Sequence, residues 1–122
     1  MTKTILTVDD SRTMREMLRR ALEASGFNVV QAEDGVHGIE VLQGMAYPDV
    51  IITDVNMPRM DGLQFIEEVR SDQSFRAIPI LVLTTESDAE KKARARRAGA
   101  TGWIVKPFDP VKLVDAIRRV AA

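Results

Sequence analysis

The chain has 122 residues, of which 45% are hydrophobic, and it carries 17 basic and 18 acidic side chains. This length suits one domain, and the charge balance argues against a nucleic-acid-binding domain, which usually has a basic surplus. The absence of cysteine excludes disulfides, thiolate nucleophiles and zinc–thiolate sites. No apolar run approaches the roughly 20 residues that span a membrane, and the residues before the first strand-like run are too few for a signal peptide. We expect one cytoplasmic domain over residues 1–122.

Strand-like and helical segments alternate five times along the chain. Short β-rich runs predict strands, and apolar residues at helical spacing follow each of them. Val50-Ile51-Ile52 is the continuous apolar run that a fully buried parallel strand shows. The expected strands are Thr4–Val8, Phe27–Ala32, Asp49–Thr53, Ile80–Leu83 and Gly102–Val105. The expected helices cover Met14–Leu22, Val36–Leu42, Leu63–Val69, Ser87–Ala98 and Pro110–Val120.

Short polar motifs predict where some of these helices begin. Thr13 with Glu16, and Ser87 with Glu90, have the spacing of capping boxes. Asp109-Pro110 predicts the start of the last helix, because proline is favoured at the first helical position.

Strands that alternate with helices, without a linker or an internal repeat, predict an α/β fold: a doubly wound (βα)5 unit with a parallel sheet covered on both faces. In such open sheets, ligands bind outside the carboxyl ends of the strands. Polar side chains follow four of the five strands, namely Asp9, Asp10, Asp54, Asn56, Thr84, Glu86 and Lys106. We expect them to converge if strands one, three, four and five lie side by side.

The charges of these residues indicate a chemistry. The carboxylates of Asp9, Asp10 and Asp54 would repel one another unless a cation compensated them. Mg²⁺ prefers oxygen ligands and keeps some waters, which leaves room for a phosphoryl oxygen. Lys106 adds a point charge for phosphate, Thr84 adds a hydroxyl donor, and Asp54 can act as the nucleophile that becomes an aspartyl phosphate.

Each of these residues taken alone also has a purely structural explanation. Asp9 and Asp10 could simply cap the first helix, and an isolated aspartate at a strand end is more often a turn residue than a nucleophile. The basic run of the fourth helix could be a solvated face, and it comprises Lys91, Lys92, Arg94, Arg96 and Arg97. The joint placement of the polar groups at one edge of the sheet is what favours the phosphoryl-transfer interpretation.

The full set of motifs resembles the receiver domains of two-component response regulators. The resemblance covers Ile5 to about Val120 and rests on the aspartate pair, the loop from Asp54 to Gly62, Thr84, and Lys106-Pro107-Phe108. Ser11-x-Thr13-Met14-Arg15 and Val55-Asn56-Met57-Pro58 are similar to the stand-alone chemotaxis regulators of the CheY type. The resemblance implies a flavodoxin-like sheet in the order 2-1-3-4-5.

The resemblance also implies a role for each site residue. Asp54 is the phosphoacceptor, and Mg²⁺ is held by Asp9, Asp10, Asp54 and the backbone carbonyl of Asn56. Lys106, with a cis peptide bond to Pro107, contacts the phosphoryl group. Thr84 is the switch hydroxyl, and Trp103 occupies the aromatic switch position, where the family commonly has Tyr or Phe. The side chains of Asn56 and Glu86 flank the approach of water and imply rapid autodephosphorylation.

The implied partners are a histidine kinase as phosphodonor and a target protein. The target would bind the face of the fourth helix, the fifth strand and the last helix, with Trp103, Lys91 and Lys92 on it. A flagellar motor switch in chemotaxis is the first candidate, and a phosphate sink or a kinase or cell-cycle regulator is the alternative. We expect a monomer that binds neither nucleic acid nor membrane and is a switch rather than an enzyme.

Three competing functions have weaker support. A haloacid-dehalogenase-type phosphatase needs a second aspartate two residues after its nucleophile, where this chain has Asn56. A nucleotide- or flavin-binding module of the same topology would need a glycine-rich phosphate motif, and none is present. A degenerate receiver that only binds partners fits poorly with an intact acidic set and Lys106.

Overall fold

The computed structural model describes residues 2–121, which form a five-stranded sheet flanked by helices. The strands are β1 (Thr4–Val8), β2 (Asn28–Ala32), β3 (Val50–Thr53), β4 (Ile80–Thr84) and β5 (Gly102–Val105). The helices are α1 (Arg12–Ala24), α2 (Gly35–Gly44), α3 (Gly62–Ser71), α4 (Ala89–Ala98) and α5 (Pro110–Val120). A short 3₁₀ turn, Gln73–Phe75, precedes β4 and was not predicted from the sequence.

All strand pairs are parallel and their order is β2-β1-β3-β4-β5. This confirms the predicted fold class and strand order. Alternation of side chains along the strands divides the core in two, since successive residues point to opposite faces. Leu6 and Ile51 face a cluster with α2, α3 and α4, whereas Ile5 and Ile52 face a cluster with α1 and α5. Helices therefore cover both faces of the sheet.

Two predicted caps are wrong. The side chain of Ser11, not that of Thr13, caps α1 by accepting the N–H of Met14. The side chain of Asp88, not that of Ser87, caps α4 by accepting the N–H groups of Glu90 and Lys91. In both places neighbouring residues share the chemistry of an N-cap, so the sequence alone does not decide among them.

Other boundaries agree with the sequence or move by one or two residues. Asp109 caps α5 with Pro110 in its first turn, as predicted. β2 begins at Asn28 rather than Phe27, because Phe27 belongs to the turn that closes α1. In that turn Gly26 has φ +89°, and the N–H of Phe27 donates to the carbonyl of Leu22 at 3.1 Å. This is the pattern of a helix that ends in a left-handed glycine.

Candidate functional site

The carboxyl ends of β1, β3 and β4 meet at one edge of the sheet. Val8 lies opposite Thr53 and Thr53 lies opposite Val82 in the register of the strands. Asp9 and Asp54, which directly follow β1 and β3, therefore lie side by side. Both are almost fully buried, with 2% and 9% of their surface exposed.

Three carboxylates gather at this edge. One oxygen from each of Asp9, Asp10 and Asp54 lies within 4.8 Å of the others, and Asp10 alone among the three is exposed. Carboxylate oxygens with an open, solvated side are the ligand set that Mg²⁺ prefers, because this ion usually retains several waters. The residues present thus fit a hard divalent cation.

Lys106 lies against the buried side of this acidic cluster. Its Nζ donates to Oδ2 of Asp9 and to Oδ2 of Asp54, both at 3.0 Å, and its side chain is 9% exposed. Lys106 directly follows β5, and its peptide bond to Pro107 is cis. One ammonium group facing three carboxylates leaves an excess of negative charge, which a divalent cation would compensate.

Burial and pairing shift the pKa values of two of these groups. Burial raises the pKa of the Asp9 carboxyl, while hydrogen bonds from Ser11 and Lys106 oppose the rise and the charge of Asp54 adds to it. Burial lowers the pKa of Lys106, but its hydrogen bonds to Asp54 and Asp9 outweigh that effect, so the pKa ends above its usual value. Lys106 is therefore charged at neutral pH.

A tight loop after β3 fixes the backbone of Asp54. The N–H of Val55 donates to Oδ1 of Asp54 at 2.6 Å, and the N–H of Gly62 donates to the carbonyl of Val55 at 2.7 Å. A Cβ at Gly62 would lie 1.9 Å from the carbonyl oxygen of Asp54. The close approach requires glycine here, so this glycine belongs to the architecture of the site.

Neither aspartate of the pair is the N-cap residue of α1. Because Ser11 caps α1, Asp9 is free to turn its side chain toward Lys106, and its Oδ1 accepts the N–H of Ser11 at 2.9 Å. The guanidinium of Arg15, which was not predicted as a site residue, donates to the carbonyl of Asp9 at 2.6 Å. The spacing of Arg15 in the sequence predicts its position on the helix, but it does not predict this contact.

Comparison with known proteins shows the family to which this chain belongs. The model of the response regulator receiver domain family matches residues 5–118. The chain belongs to that family. It is 43% identical to chemotaxis protein CheY1 of Helicobacter pylori over 117 residues, which cover 95% of this chain and 94% of that protein.

Solved receiver structures superpose closely on this chain. Chemotaxis protein CheY4 of Vibrio cholerae has a TM-score of 0.92 at 43% identity, covering 98% of this receiver and 99% of that chain. The receiver domain of histidine kinase PA1611 from Pseudomonas aeruginosa, described with magnesium coordinated in its active-site cleft, has a TM-score of 0.90 at 24% identity and covers 99% and 98%. At that identity the second likeness establishes the fold alone.

Of the predicted switch residues of the receiver, Thr84 is the last residue of β4 and Trp103 lies in the neighbouring strand β5. Thr84 is fully buried, and its Oγ1 accepts the N–H of Glu86 at 3.2 Å. Trp103 is half-buried, and its indole N–H donates to the carbonyl of Glu86, also at 3.2 Å. The β4–α4 loop is thus held from both sides at Glu86.

The side chain of Glu86 is occupied by contacts of its own. Its Oε2 lies 3.1 Å from Nζ of Lys91, and its Oε1 accepts the N–H of Asp88 at 3.1 Å. The hydrogen bond from Lys91, followed by that from Asp88, lowers the pKa of the Glu86 carboxyl. Glu86 is therefore ionised and directed toward the first turn of α4.

The predicted partner face has an apolar groove beside it. The groove measures about 420 Å³ and is lined by Trp103, Val105, Pro107, Phe108 and Lys112 among others. Val105 and Val111 are exposed. Lys92 is exposed and borders a smaller cavity of about 50 Å³ between α4 and β5.

Among residues 2–121, no helix is both long and apolar enough to cross a membrane.

Proposed function

We propose that this chain is a phosphorylation switch whose Asp54 takes a phosphoryl group from a histidine kinase. The observation that carries the proposal is the pair of 3.0 Å contacts from Lys106 to Asp54 and Asp9, with Asp10 completing the acidic cluster. That arrangement combines a nucleophilic carboxylate, a cation for the phosphoryl oxygens and a candidate metal site in one place. A phosphatase that also forms an aspartyl phosphate would need a second aspartate two residues after its nucleophile, where this chain has Asn56.

The chain's own residues would act in sequence. An oxygen of Asp54 attacks phosphorus, and the bond from phosphorus to the donor's imidazole nitrogen breaks as the new bond to oxygen forms. Lys106 is positioned to shift its hydrogen bond from the carboxylate to a phosphoryl oxygen. Bound Mg²⁺ would supply neutralising charge to the phosphoryl oxygens, held by Asp9, Asp10, Asp54 and the carbonyl of Asn56.

The output of the switch would depend on Thr84 and Trp103. Thr84 is buried beside the site, and its hydroxyl already contacts the β4–α4 loop through the N–H of Glu86. If the hydroxyl turned to a phosphoryl oxygen, it would release that N–H and free the loop. The indole N–H of Trp103 donates to the carbonyl of Glu86, so a movement of the loop would also move the indole on the α4–β5–α5 face.

That face would bind the target protein. Exposed Lys92 supplies positive charge, Lys91 is placed to exchange Glu86 for an acidic partner, and the groove beside β5 supplies apolar area. Likeness to CheY proteins favours a chemotaxis target, with a flagellar motor switch as the first candidate. We further propose that this receiver acts in the cytoplasm as a monomer.

Rapid loss of the phosphoryl group is part of the proposal. Asn56 is exposed at the mouth of the site and can hydrogen-bond an attacking water. The carboxylate of Glu86 is held by Lys91, so water near the phosphorus would meet a polar, ionised neighbour rather than an apolar plug. We expect Asn56→Met to slow the decay of the phosphoprotein without preventing its formation.

Intact-mass measurement tests the function directly. The protein is incubated with acetyl phosphate, with and without Mg²⁺, beside the nearly isosteric variant Asp54→Asn. We expect one base-labile phosphoryl group on the wild type, only with Mg²⁺, and none on the variant. Equal uptake by Asp54→Asn would show that another residue is the acceptor. Pull-down with and without beryllofluoride then distinguishes a motor target from the other circuits.

A further inference from the structure

An ion pair outside the acidic cluster joins two loops of the site edge. Nε and Nη2 of Arg59, in the loop after β3, donate to Oδ2 and Oδ1 of Asp34 at 2.8 and 3.0 Å. The Asp34 side chain is 5% exposed and also caps α2 through the N–H of His37. The pairing is bidentate, a geometry that the planar guanidinium group favours and an ammonium group cannot form.

The two loops also touch through their backbones. The N–H of Gly35 donates to the carbonyl of Met60 at 3.1 Å, and a Cβ at Gly35 would lie 2.6 Å from that oxygen. The β2–α2 turn and the β3–α3 loop are thus in direct contact. Asp34 and Arg59 are 25 residues apart, and the contact fixes one loop against the other.

Arg59 has an unusual backbone conformation. Its φ is +65°, in the left-handed region that non-glycine residues seldom occupy, and the N–H of Met60 donates to the carbonyl of Pro58 at 2.7 Å across it. Such a conformation persists when the surroundings determine it. The bidentate pair with Asp34 and the Gly35–Met60 hydrogen bond are surroundings of this kind.

Asn56 lies between two fixed points of this loop. Val55 is bound to Gly62 on one side, and Arg59 is bound to Asp34 on the other. Three residues separate the two points, so the backbone of residues 56–58 has little freedom while both contacts hold. Loss of the Arg59 contact would leave that stretch attached at Val55 but unrestrained at its far end.

We propose that Asp34 and Arg59 are positioning residues: their ion pair orients the β3–α3 loop so that the Asn56 carbonyl can serve the metal site, and it thereby sets the affinity for Mg²⁺. The inference rests on the proposed function, because it presumes that the acidic cluster binds Mg²⁺. Partners of metal ligands typically change metal affinity by 10- to 100-fold when removed. We expect about tenfold here, since one neutral ligand of several is affected.

The sign of the effect separates positioning from simple charge. Arg59→Gly removes a positive charge near an acidic site, so Coulombic attraction alone predicts tighter binding of Mg²⁺. Positioning predicts weaker binding. Glycine also accepts φ +65° more readily than arginine does, so the variant has no backbone reason to unfold. Arg59→Lys keeps the charge and loses the fork, and it should lie between the wild type and Arg59→Gly.

The test is a double-mutant cycle with Mg²⁺ titration followed by Trp103 fluorescence or calorimetry, with urea unfolding of each variant alongside. Asp34→Asn retains a helix-capping side chain and removes the charge. Arg59→Gly, Asp34→Asn and the double variant should each bind Mg²⁺ about tenfold more weakly, because losing either partner breaks the same contact. Arg94→Ala, which breaks an exposed pair with Glu67, is the matched control and should bind as the wild type does.

The outcomes are distinct. Binding by Arg59→Gly as tight as, or tighter than, the wild type overturns the inference, as does a double variant whose loss is the sum of the single losses. If any one variant fails to fold, the remaining single variant and Arg59→Lys decide by the same criterion. If the wild type itself does not bind Mg²⁺, the proposed metal site is wrong, and the inference fails with it for a different and recognisable reason.

Discussion

The acidic cluster with Lys106, called the pocket below, and the β4–α4 loop lie at the same edge of one sheet, yet very different contacts fix them. Asp9, Asp54 and Lys106 are buried, and short hydrogen bonds fix their side chains and the backbone beside them. The β4–α4 loop is attached at Glu86, by contacts to Thr84, Trp103 and the half-exposed Lys91. The pocket is therefore preorganised for chemistry, whereas the loop can rearrange at small energetic cost.

This contrast gives a physical account of a switch. Preorganised charges stabilise developing charge without moving, which is what phosphoryl transfer needs. An output face needs a second arrangement of similar free energy, which few and partly exposed contacts allow. Thr84 is shared by both regions, since it is buried beside the pocket and accepts a hydrogen bond from the loop.

The largest expected effect on stability comes from crowding the pocket. In Gly62→Ala the new methyl would meet the Asp54 carbonyl, 1.9 Å away in the present geometry. We expect a loss of about 3 kcal/mol in the free energy of unfolding, at the upper end for overpacking, measured by urea denaturation. Gly44→Ala is the control, because nothing lies within 4 Å of its Cβ position in α2. It should stabilise the protein by about 0.5 kcal/mol. Equal changes in the free energy of unfolding for Gly62→Ala and Gly44→Ala would show that the backbone beside Asp54 is not tightly packed.

The next effect concerns the buried lysine. Lys106→Met keeps much of the side-chain volume and leaves Asp9 and Asp54 without their cation. Removing one partner of a buried ion pair costs about 3 kcal/mol of stability at neutral pH, although the solvated side of this pocket reduces that figure. Melting temperatures with and without Mg²⁺ measure it, and we expect Mg²⁺ to recover much of the loss. A variant as stable as the wild type in the absence of Mg²⁺ would show that the lysine is not needed to offset the carboxylates.

Acid should reveal the pair between Asp34 and Arg59. The hydrogen bond from Arg59 is the main cause that lowers the pKa of the Asp34 carboxyl below its ordinary 3.8. A carboxyl with a lowered pKa in the folded state stabilises the protein above its unfolded pKa and loses that contribution as the pH falls through its folded pKa. The stability difference between wild type and Asp34→Asn should thus be full at pH 6 and shrink below about pH 4. A pH-independent difference would show that the effect of Asp34→Asn does not arise from the ionised carboxylate of Asp34.

On the loop side, the expected effects on stability are smaller. Trp103→Phe keeps an aromatic ring and removes the hydrogen bond to the Glu86 carbonyl. We expect a loss of about 1 kcal/mol from one net hydrogen bond, together with a larger change in phosphorylation-dependent target binding. Urea denaturation and pull-down with beryllofluoride give the two values. The account would be wrong if the variant lost several times that stability and kept normal target binding.

The smallest effect belongs to the exposed pair of Lys91 and Glu86. Lys91→Gln should leave the melting temperature unchanged within error, because exposed pairs contribute little and salt screens them. Its effect should appear in the association rate with an acidic target and in the salt dependence of that rate. Arg20→Gln is the control, because it removes the same charge from an exposed pair, with Glu16 on α1, outside the α4–β5–α5 face. If the wild type and both variants showed the same salt dependence of the association rate, α4 would have no role in the electrostatic steering of the target.

The fold and most of the site could be predicted because local patterns determine them. Val50-Ile51-Ile52 is a strand buried on both faces, and polar residues directly after parallel strands must meet at one edge. The helix caps could not be predicted reliably, since Ser11 and Thr13, or Ser87 and Asp88, differ by at most two positions and share the same chemistry. The ion pair between Asp34 and Arg59 could not be predicted either, because the two residues are 25 positions apart in the sequence.

Amide hydrogen exchange with Mg²⁺ and beryllofluoride tests the central claim most directly, because it reads the pocket and the loop in one experiment. Binding of this phosphoryl mimic at Asp54 should leave the amides of β1 and β3 as protected as before. It should change exchange from Thr84 to Lys91 and at Trp103, with no change in Asp54→Asn. Changes confined to the pocket, or equal changes in that variant, would contradict a switch that takes phosphate at Asp54 and signals through the α4–β5–α5 face.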